Sequence, residues 1–156
     1  MQVHLCAVGR LRRGPERALV DDYAARFDRT GRSLGLGPLS EHEIEDRRGG
    51  GLEAEAALLR RASPEGAIRV ALDERGKQMS SPALAECLAA WRDGGAGAAT
   101  FFIGGADGLA PGLRDEAELS LSLGVMVWPH LLVRVMLAEQ LYRAATILAG
   151  TPYHRS

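Results

Sequence analysis

The sequence predicts an α/β fold in which a mostly parallel sheet is covered by helices. Short apolar segments of strand length alternate along the chain with helical patterns. The strand segments are apolar nearly throughout, as expected where both faces of a sheet are covered. A chain of 156 residues without an internal repeat or linker suits a single domain over 1–156 that buries a substantial core.

The first half of the chain alternates between the two patterns. In order, the predicted elements are a strand at 3–8, a helix from Pro15, a loop at 30–38, a strand at 39–45 and a helix at 52–62. The first helix is predicted because proline suits a helix start and Leu19, Tyr23 and Phe27 share one face. Glycine-rich segments separate the later elements.

The second half continues the alternation. In order, the predicted elements are a strand at 67–73, a loop at 74–81, a helix at 82–93, a strand at 99–105, a short helix at 111–117, a strand at 119–128 and a long helix at 131–150. Ser81 suits the N-cap of a helix with Pro82 at its first position. Pro129 ends the last strand.

Composition excludes several classes of protein. Cys6 and Cys87 lie far apart in apolar surroundings, which predicts buried free thiols and no metal site. No apolar run reaches the ~18–20 residues that span a membrane, and no signal peptide is evident, so a cytoplasmic location is expected.

Charge gives only a local indication of a nucleic-acid partner. The net charge is −1, although eighteen arginines accompany a single lysine. Arginine binds phosphate in a bidentate manner, but a GC-rich genome would produce the same bias. The most basic local patch is Arg10, Arg12, Arg13 and Arg17.

Two segments of the second half are candidates for a site. FFIGGADGLAP (101–111) suits a strand that enters a glycine turn, which is either a structural turn or a ligand-lining loop. It lacks the G-x-G-x-x-G spacing of a dinucleotide site. LGVMVWPH (123–130) leads into the last helix and places His130 in its first turn, as a structural or a functional histidine.

The last helix is apolar nearly all round, which indicates burial on more than one side and suggests a second subunit. Glu139 and Arg143 have the spacing of a favourable ion pair. Arg134 has no acidic residue three or four positions away, so its partner is expected in a dimer or a ligand, and its role is either functional or structural. The tail after this helix, PYHR (152–155), is unusually rich in Tyr, His and Arg side chains for a chain end. It is either part of a site or a docked C-terminus that closes the fold or a dimer.

Four motifs together resemble a known family. They are LDxxGK (72–77), IGGxxGL (103–109), PHxLVRVxLxEQLYRA (129–144) and PYHR (152–155). The chain resembles the ribosomal RNA large subunit methyltransferase H family of the SPOUT class over essentially its whole length. The resemblance implies a C-terminal trefoil knot and a homodimer. It also implies methylation of N3 of a pseudouridine in a large-subunit (23S) rRNA hairpin, with S-adenosylmethionine as the methyl donor.

The resemblance also assigns the cofactor site. The implied residues are Leu72, Gly104, Leu123, Gly124, Val125, Met126, Val127 and Trp128. A glycine turn and an apolar wall suit adenosine and methionine moieties, which need backbone donors and apolar contacts. Trp128 is bulkier than the usual aliphatic residue of the family, and Asp107 stands where relatives often carry glutamate.

The reaction needs alignment of the methyl donor and removal of the N3 proton. We expect His154, Arg134 and Tyr153 to be catalytic, with His154 or a nearby water accepting the proton. Arg134 and Arg155 are expected to hold phosphate or uracil oxygens, and His130 is expected to contact the substrate with Arg155. The near-zero net charge favours the assembled ribosome over free RNA as substrate.

Other functions compete with this one. A SPOUT enzyme with another RNA target and a non-catalytic dimeric ribosome-binding module share most of these features. A small nucleotide-dependent oxidoreductase would need a glycine fingerprint after the first strand, which LCAVGRLRRG (5–14) does not supply.

Overall fold

Residues 1–155 are described by a computed structural model. Its strands are β1 (Gln2–Val8), β2 (Leu39–Ile44), β3 (Ile68–Gln78), β4 (Ala98–Ile103) and β5 (Leu119–Ser122). Its helices are α1 (Pro15–Gly31), α2 (Gly51–Ala62), α3 (Ser81–Asp93), α4 (Pro111–Asp115) and α5 (His130–Ala149). Across residues 1–155 the strands form one sheet of order β2-β1-β4-β3-β5, and every pair is parallel. The predicted α/β class with a helix-covered parallel sheet is confirmed.

Helices cover both faces of the sheet. Because successive strand residues point to opposite faces, Phe101 packs with α1, α3 and α5, whereas its neighbour Phe102 packs with α2 and α4. Both rings are fully buried. In β1, Leu5 likewise faces the side of α1, α3 and α5, and Cys6 faces the side of α2 and α4. This burial on both faces explains why the strand segments are apolar throughout.

The parallel arrangement brings several loops to one edge of the sheet. The carboxyl ends of β1, β2, β4 and β3 lie side by side, as the register of their residues shows. The loop after β1, the loop after β2 and the glycine turn after β4 therefore share this edge. In open α/β sheets, ligands bind outside the carboxyl ends of the strands.

The predicted loop at 74–81 is wrong, because β3 extends to Gln78. The strand bulges between Leu72 and Lys77, both of which pair with Leu121 of β5. Gly76 makes the second half of this pairing possible. A Cβ at Gly76 would lie 2.7 Å from the carbonyl carbon and oxygen of Ser120, so only glycine allows this approach of the two backbones.

The predicted strand at 119–128 is too long, since β5 ends at Ser122. Gly124, with φ of +121°, turns the chain away from the sheet in a conformation that other residues rarely adopt. The predicted loop at 30–38 begins with the last residues of α1 and a 3₁₀ turn at Arg32–Leu34.

Two smaller predictions also need correction. The N-cap of α3 is Ser80 and not Ser81, because the Ser80 hydroxyl accepts a hydrogen bond of 3.2 Å from the Ala83 amide. Cys6 is a buried free thiol, as predicted, and burial raises its pKa to about 12. Cys87 is only half-buried.

No helix within residues 1–155 is long and apolar enough to cross a membrane. Across the same described range, no three His, Cys, Asp or Glu side chains gather in the geometry of a metal site. The trefoil knot that the resemblance implies stays a prediction.

Candidate functional site

A cavity of about 390 Å³ lies at the carboxyl edge of the sheet. Three segments form its walls: 72–75 in the bulge of β3, the turn at 103–108 after β4, and the segment after β5. His130 and Val133 of α5 complete the lining. Its size falls in the range of small-molecule sites.

The glycine turn gives one wall its shape. Gly104 is buried, and a Cβ at this position would overlap the Gly108 carbonyl and lie 2.9 Å from the Gly108 Cα. The Gly108 amide donates a hydrogen bond of 3.1 Å to the Gly105 carbonyl, and Gly108 has φ of +77°. The turn is therefore a tight structural turn that also lines the cavity, so the two interpretations of this segment do not exclude each other.

The segment after β5 forms an apolar wall that is largely exposed. Val125, Met126 and Val127 are 80%, 68% and 81% exposed, and Trp128 is 40% exposed. Of the residues assigned to the cofactor, Leu72, Gly104, Leu123, Gly124, Met126, Val127 and Trp128 line the cavity, and Val125 does not. A contiguous exposed apolar segment of this kind marks a contact surface.

Ser122, which sequence analysis did not single out, organises the start of this wall. Its hydroxyl lies 3.0 Å from the carbonyl oxygens of both Glu74 and Gly124, and it accepts a hydrogen bond of 3.1 Å from the Gly124 amide. Ser122 is 5% exposed. It therefore ties the bulge of β3 to the point where the chain leaves β5.

Asp73 is a second lining residue to which sequence analysis gave no role. Its side chain is 8% exposed, and its carboxylate accepts hydrogen bonds of 2.8 Å from Arg114 and 3.0 Å from Arg75. The sequence did offer a signal for this residue, because Asp73 ends the strand predicted at 67–73 and the carboxyl ends of parallel strands are where ligands bind.

The cavity has further acidic groups on one side. Asp107 lines the cavity in the glycine turn. Burial and the negative charges of Asp107 and Asp46 raise the pKa of the Glu55 carboxyl on α2. Acidic side chains from the turn, from α2 and from the loop after β2 therefore lie close together at this side.

Arg134 does not have the partner that its sequence position suggested. Its side chain is fully buried, and its Nη1 lies 2.9 Å from Glu41 Oε1 and 2.7 Å from Glu43 Oε2. Its Nη2 donates a hydrogen bond of 3.0 Å to the Gly9 carbonyl. The expectation of a partner in a dimer or a ligand is wrong, because alternation along β2 places both glutamates on the face that α5 covers. In this arrangement Arg134 cannot contact a substrate.

The tail folds back onto its own α5. The Tyr153 hydroxyl donates a hydrogen bond of 2.9 Å to Glu139, which also pairs with Arg143 at 2.6 Å, as the sequence predicted for that pair. The Arg143 guanidinium lies 4.8 Å from the centre of the Tyr153 ring. Burial and the Glu139 carboxylate raise the pKa of Tyr153 above its usual value. A ring nitrogen of His154 lies 3.4 Å from Arg143.

The tail and the cavity lie at different places along α5. His130 lines the cavity, whereas Tyr153 and His154 contact residues 139 to 143. Val133 is the cavity-lining residue of α5 that lies farthest along the helix. At 1.5 Å per residue, Glu139 and Arg143, which the tail contacts, lie about 9 and 15 Å beyond it along the axis. Within one chain, the structure brings His130 to the proposed cofactor residues, but not Tyr153, His154 or the exposed Arg155.

A protein-family model matches nearly the whole chain. A model described as a predicted SPOUT methyltransferase matches residues 1–154. The class of protein that this fold and cavity define is thus the SPOUT methyltransferases.

Close relatives place the chain within that class. It is 68% identical over 155 residues to the ribosomal RNA large subunit methyltransferase H of Dinoroseobacter shibae, with 99% of each chain covered. It is 64% identical over 156 residues to the protein of the same name from Roseobacter denitrificans, with both chains fully covered. The chain therefore belongs to the ribosomal RNA large subunit methyltransferase H family.

A solved structure shares the fold at low sequence identity. A probable methylase family protein from Haemophilus influenzae matches with a TM-score of 0.52 and 12% identity. The match covers 99% of this chain and 70% of the other chain. It supports the fold alone.

Proposed function

We propose that the protein uses S-adenosylmethionine to methylate N3 of a pseudouridine in a large-subunit rRNA hairpin, within the assembled ribosome in the cytoplasm. The observation that carries the proposal is the cavity in which the glycine turn meets the exposed apolar wall. Family membership supports the substrate class, since the relatives at 64–68% identity are named large-subunit rRNA methyltransferases.

The residues of the cavity suit this cofactor. Leu72, Met126, Val127 and Trp128 offer apolar surface for an adenine ring, and the turn at Gly104 leaves backbone exposed at close range. Asp73, Glu74 and Asp107 outnumber Arg75 among the charged lining residues. This excess of negative charge favours a ligand with a positive sulfonium centre, which supplies the methyl group when bound.

The homodimer has independent support in exposed apolar surface. Leu19 is 43% and Leu132 is 40% exposed, and Val125, which does not line the cofactor cavity, is 80% exposed. A second cavity of about 490 Å³ is lined by residues of α1 and α5 together with the segments 78–84 and 121–124, and it includes Leu19, Tyr23 and Met136. Surfaces of this kind are usually covered by a partner.

The tail then serves the cavity of the partner subunit. Within one chain the tail contacts Glu139 and Arg143 and none of the residues that line the cavity, so we expect a second chain to bring Tyr153, His154 and Arg155 to the methyl-transfer site. There His154 or a nearby water accepts the N3 proton, and Arg155 with His130 holds the substrate. Arg134 supports the site from inside the fold without touching the substrate.

The first test identifies the modified nucleoside. Mass-spectrometric mapping of rRNA from a strain lacking the protein is expected to show one lost methyl group, on a pseudouridine of the large-subunit RNA. The wild-type gene is expected to restore it. Loss at another nucleotide would assign another RNA target, and no loss at all would favour the non-catalytic ribosome-binding module.

The second test removes the tail. A chain truncated after Thr151 is expected to remain dimeric and to bind S-adenosylmethionine by calorimetry, but to lose methylation of ribosomes. A chain lacking only Ser156 is the matched control and keeps activity. Methylation at the wild-type rate by the truncated dimer would contradict the role of the tail.

A further inference from the structure

The loop after β1 carries an unusual concentration of unpaired positive charge. Arg10, Arg12 and Arg13 are exposed, and no acidic residue occurs between Gly9 and Pro15. Elsewhere many arginines pair with acids, namely Arg17, Arg26, Arg60, Arg69, Arg75, Arg92, Arg114, Arg134 and Arg143. The three loop arginines form no such ion pair with any residue of 1–155.

This loop begins beside the cofactor cavity. Val8 ends β1, and a Cβ at Gly105 of the glycine turn would lie 3.2 Å from Val8 Cγ1. The Gly9 amide donates a hydrogen bond of 2.9 Å to Ile44, so the loop after β2 runs alongside. That second loop adds two further exposed arginines, Arg47 and Arg48.

The ion-pair network around buried Arg134 holds the loop in place. Gly9 accepts a hydrogen bond from Arg134, and the Leu11 amide donates one of 2.5 Å to Glu43. Leu11 is 5% exposed, between exposed Arg10 and Arg12. With the backbone held at positions 9 and 11, the neighbouring guanidinium groups project from a fixed base. Less conformational entropy is then lost on binding than with a free loop.

We infer that Arg10, Arg12 and Arg13 bind the phosphate backbone of the RNA substrate next to the nucleotide that enters the cavity. The inference rests on the proposed function. Guanidinium groups match phosphate oxygens in a bidentate geometry. A target nucleotide within an RNA chain has phosphates on both sides, so the strand must run past the rim of the cavity.

Acidic groups in the loop after β2 limit the proposed phosphate-binding surface to the loop after β1. Asp46 lies in the loop after β2 and accepts hydrogen bonds from the amides of Arg48 and Gly50. These bonds hold its negative charge next to Arg47 and Arg48. Glu45, Asp46, Arg47 and Arg48 sum to zero charge, whereas residues 9–14 carry three positive charges. A local phosphate contact is therefore compatible with a net charge of −1.

The test compares two triple variants that remove the same charge. R10Q/R12Q/R13Q changes the loop, and R29Q/R32Q/R61Q changes exposed arginines at the ends of α1 and α2. The end of α1 lies at the opposite edge of the sheet, where the Met1 amino group donates a hydrogen bond of 2.7 Å to Gly35. Thermal unfolding and calorimetry with S-adenosylmethionine verify that both variants fold and bind the cofactor as the wild type does.

Methylation of ribosomes from a strain lacking the protein is then measured across a series of KCl concentrations, with binding to an rRNA hairpin transcript alongside. We expect the loop variant to raise the KM for ribosomes at least tenfold. We also expect it to reduce the slope of log affinity against log salt by about 0.7 for each phosphate that the loop no longer binds. The control variant is expected to match the wild type in both.

Three results would overturn the inference. The first is a loop variant with the wild-type KM and salt slope, which would exclude phosphate binding by these arginines. The second is a loop variant with a raised KM for ribosomes but unchanged transcript binding and salt slope, which would mean that the loop contacts a ribosomal protein and not RNA phosphates. Failure of the wild type itself to methylate ribosomes would refute the proposed function, and the inference with it.

Discussion

At the scale of single residues, backbone crowding at Gly104 decides the shape of the cavity in which we propose that the cofactor binds. Any side chain there would meet the carbonyl and Cα of Gly108, which are backbone atoms in a short hydrogen-bonded turn. Backbone cannot move aside as the end of a flexible side chain does. The turn would therefore have to open into the cavity.

We expect Gly104→Ala to weaken binding of S-adenosylmethionine at least tenfold, about 1.4 kcal/mol, as measured by calorimetry. Gly97→Ala is the matched control, because a Cβ at Gly97 has no atom within 4 Å among the described residues. Unchanged affinity in Gly104→Ala would show that the turn does not shape the binding site.

Arg134 illustrates how a buried charge shapes its surroundings. It holds Glu41 and Glu43 from inside the fold, and Arg17 contacts the same two carboxylates from the rim. Arg134 is fully buried, and the Glu41 and Glu43 side chains are 19% and 25% exposed. Removing Arg134 therefore leaves two partly desolvated carboxylates close together, with only Arg17 to compensate their charge.

We expect Arg134→Met to lower the free energy of unfolding by about 3 kcal/mol, as measured by urea denaturation. Exposed Arg29→Met should change it by less than about 0.5 kcal/mol. Equal stabilities of the two variants would mean that the network is energetically neutral.

At the scale of elements, β1 and β2 are joined by a histidine pair as well as by their backbones. His4 Nδ1 and His42 Nε2 lie 3.0 Å apart, so one ring must donate and the other accept. Burial and the neighbouring His42 lower the pKa of His4. The folded state therefore binds fewer protons than the unfolded chain at mildly acidic pH.

Stability is expected to fall as the pH is lowered through the ordinary histidine pKa of about 6.5 towards the lowered pKa of folded His4. One proton contributes at most about 1.4 kcal/mol per pH unit. Urea denaturation between pH 7.5 and 5.5 measures the slope, and His4→Gln should reduce it. An identical slope in His4→Gln would exclude this pair as its source.

At the scale of the whole molecule, the single chain leaves several large apolar side chains exposed to solvent. α5 packs against α1, α3 and the sheet, yet Leu19, Leu132 and the wall at 125–128 remain exposed. A second subunit on this side would bury them and bring its tail towards the cavity.

If the proposed dimer uses this surface, we expect Leu19→Glu to give a monomer in light scattering where the wild type gives a dimer, and to abolish methylation. Ala57→Glu on α2 is the control, because it adds the same charge to an exposed position on the opposite side of the sheet. A Leu19→Glu variant that stays dimeric would place the interface elsewhere.

Predictions from sequence succeeded for features that are determined by residues close together in the chain. The periodicity of α5, the glycine turn and the Glu139–Arg143 pair all depend on residues within a few positions of one another. Predictions failed at 74–81, where Gly76 lies against a strand that follows more than forty residues later. No local pattern distinguishes such a strand from a turn rich in charged and glycine residues.

Sequence alone was enough for the α/β class and for the order of strands and helices, because these follow from short-range periodicity and turn chemistry. The residues expected around the cavity came from the resemblance of four motifs to a known family. The burial of Arg134 against glutamates 91 and 93 residues away became visible only in the folded chain. The same is true of the distance between the tail and its own cavity. Both outcomes depend on which strands and helices become neighbours, and that is set by the packing of the whole chain.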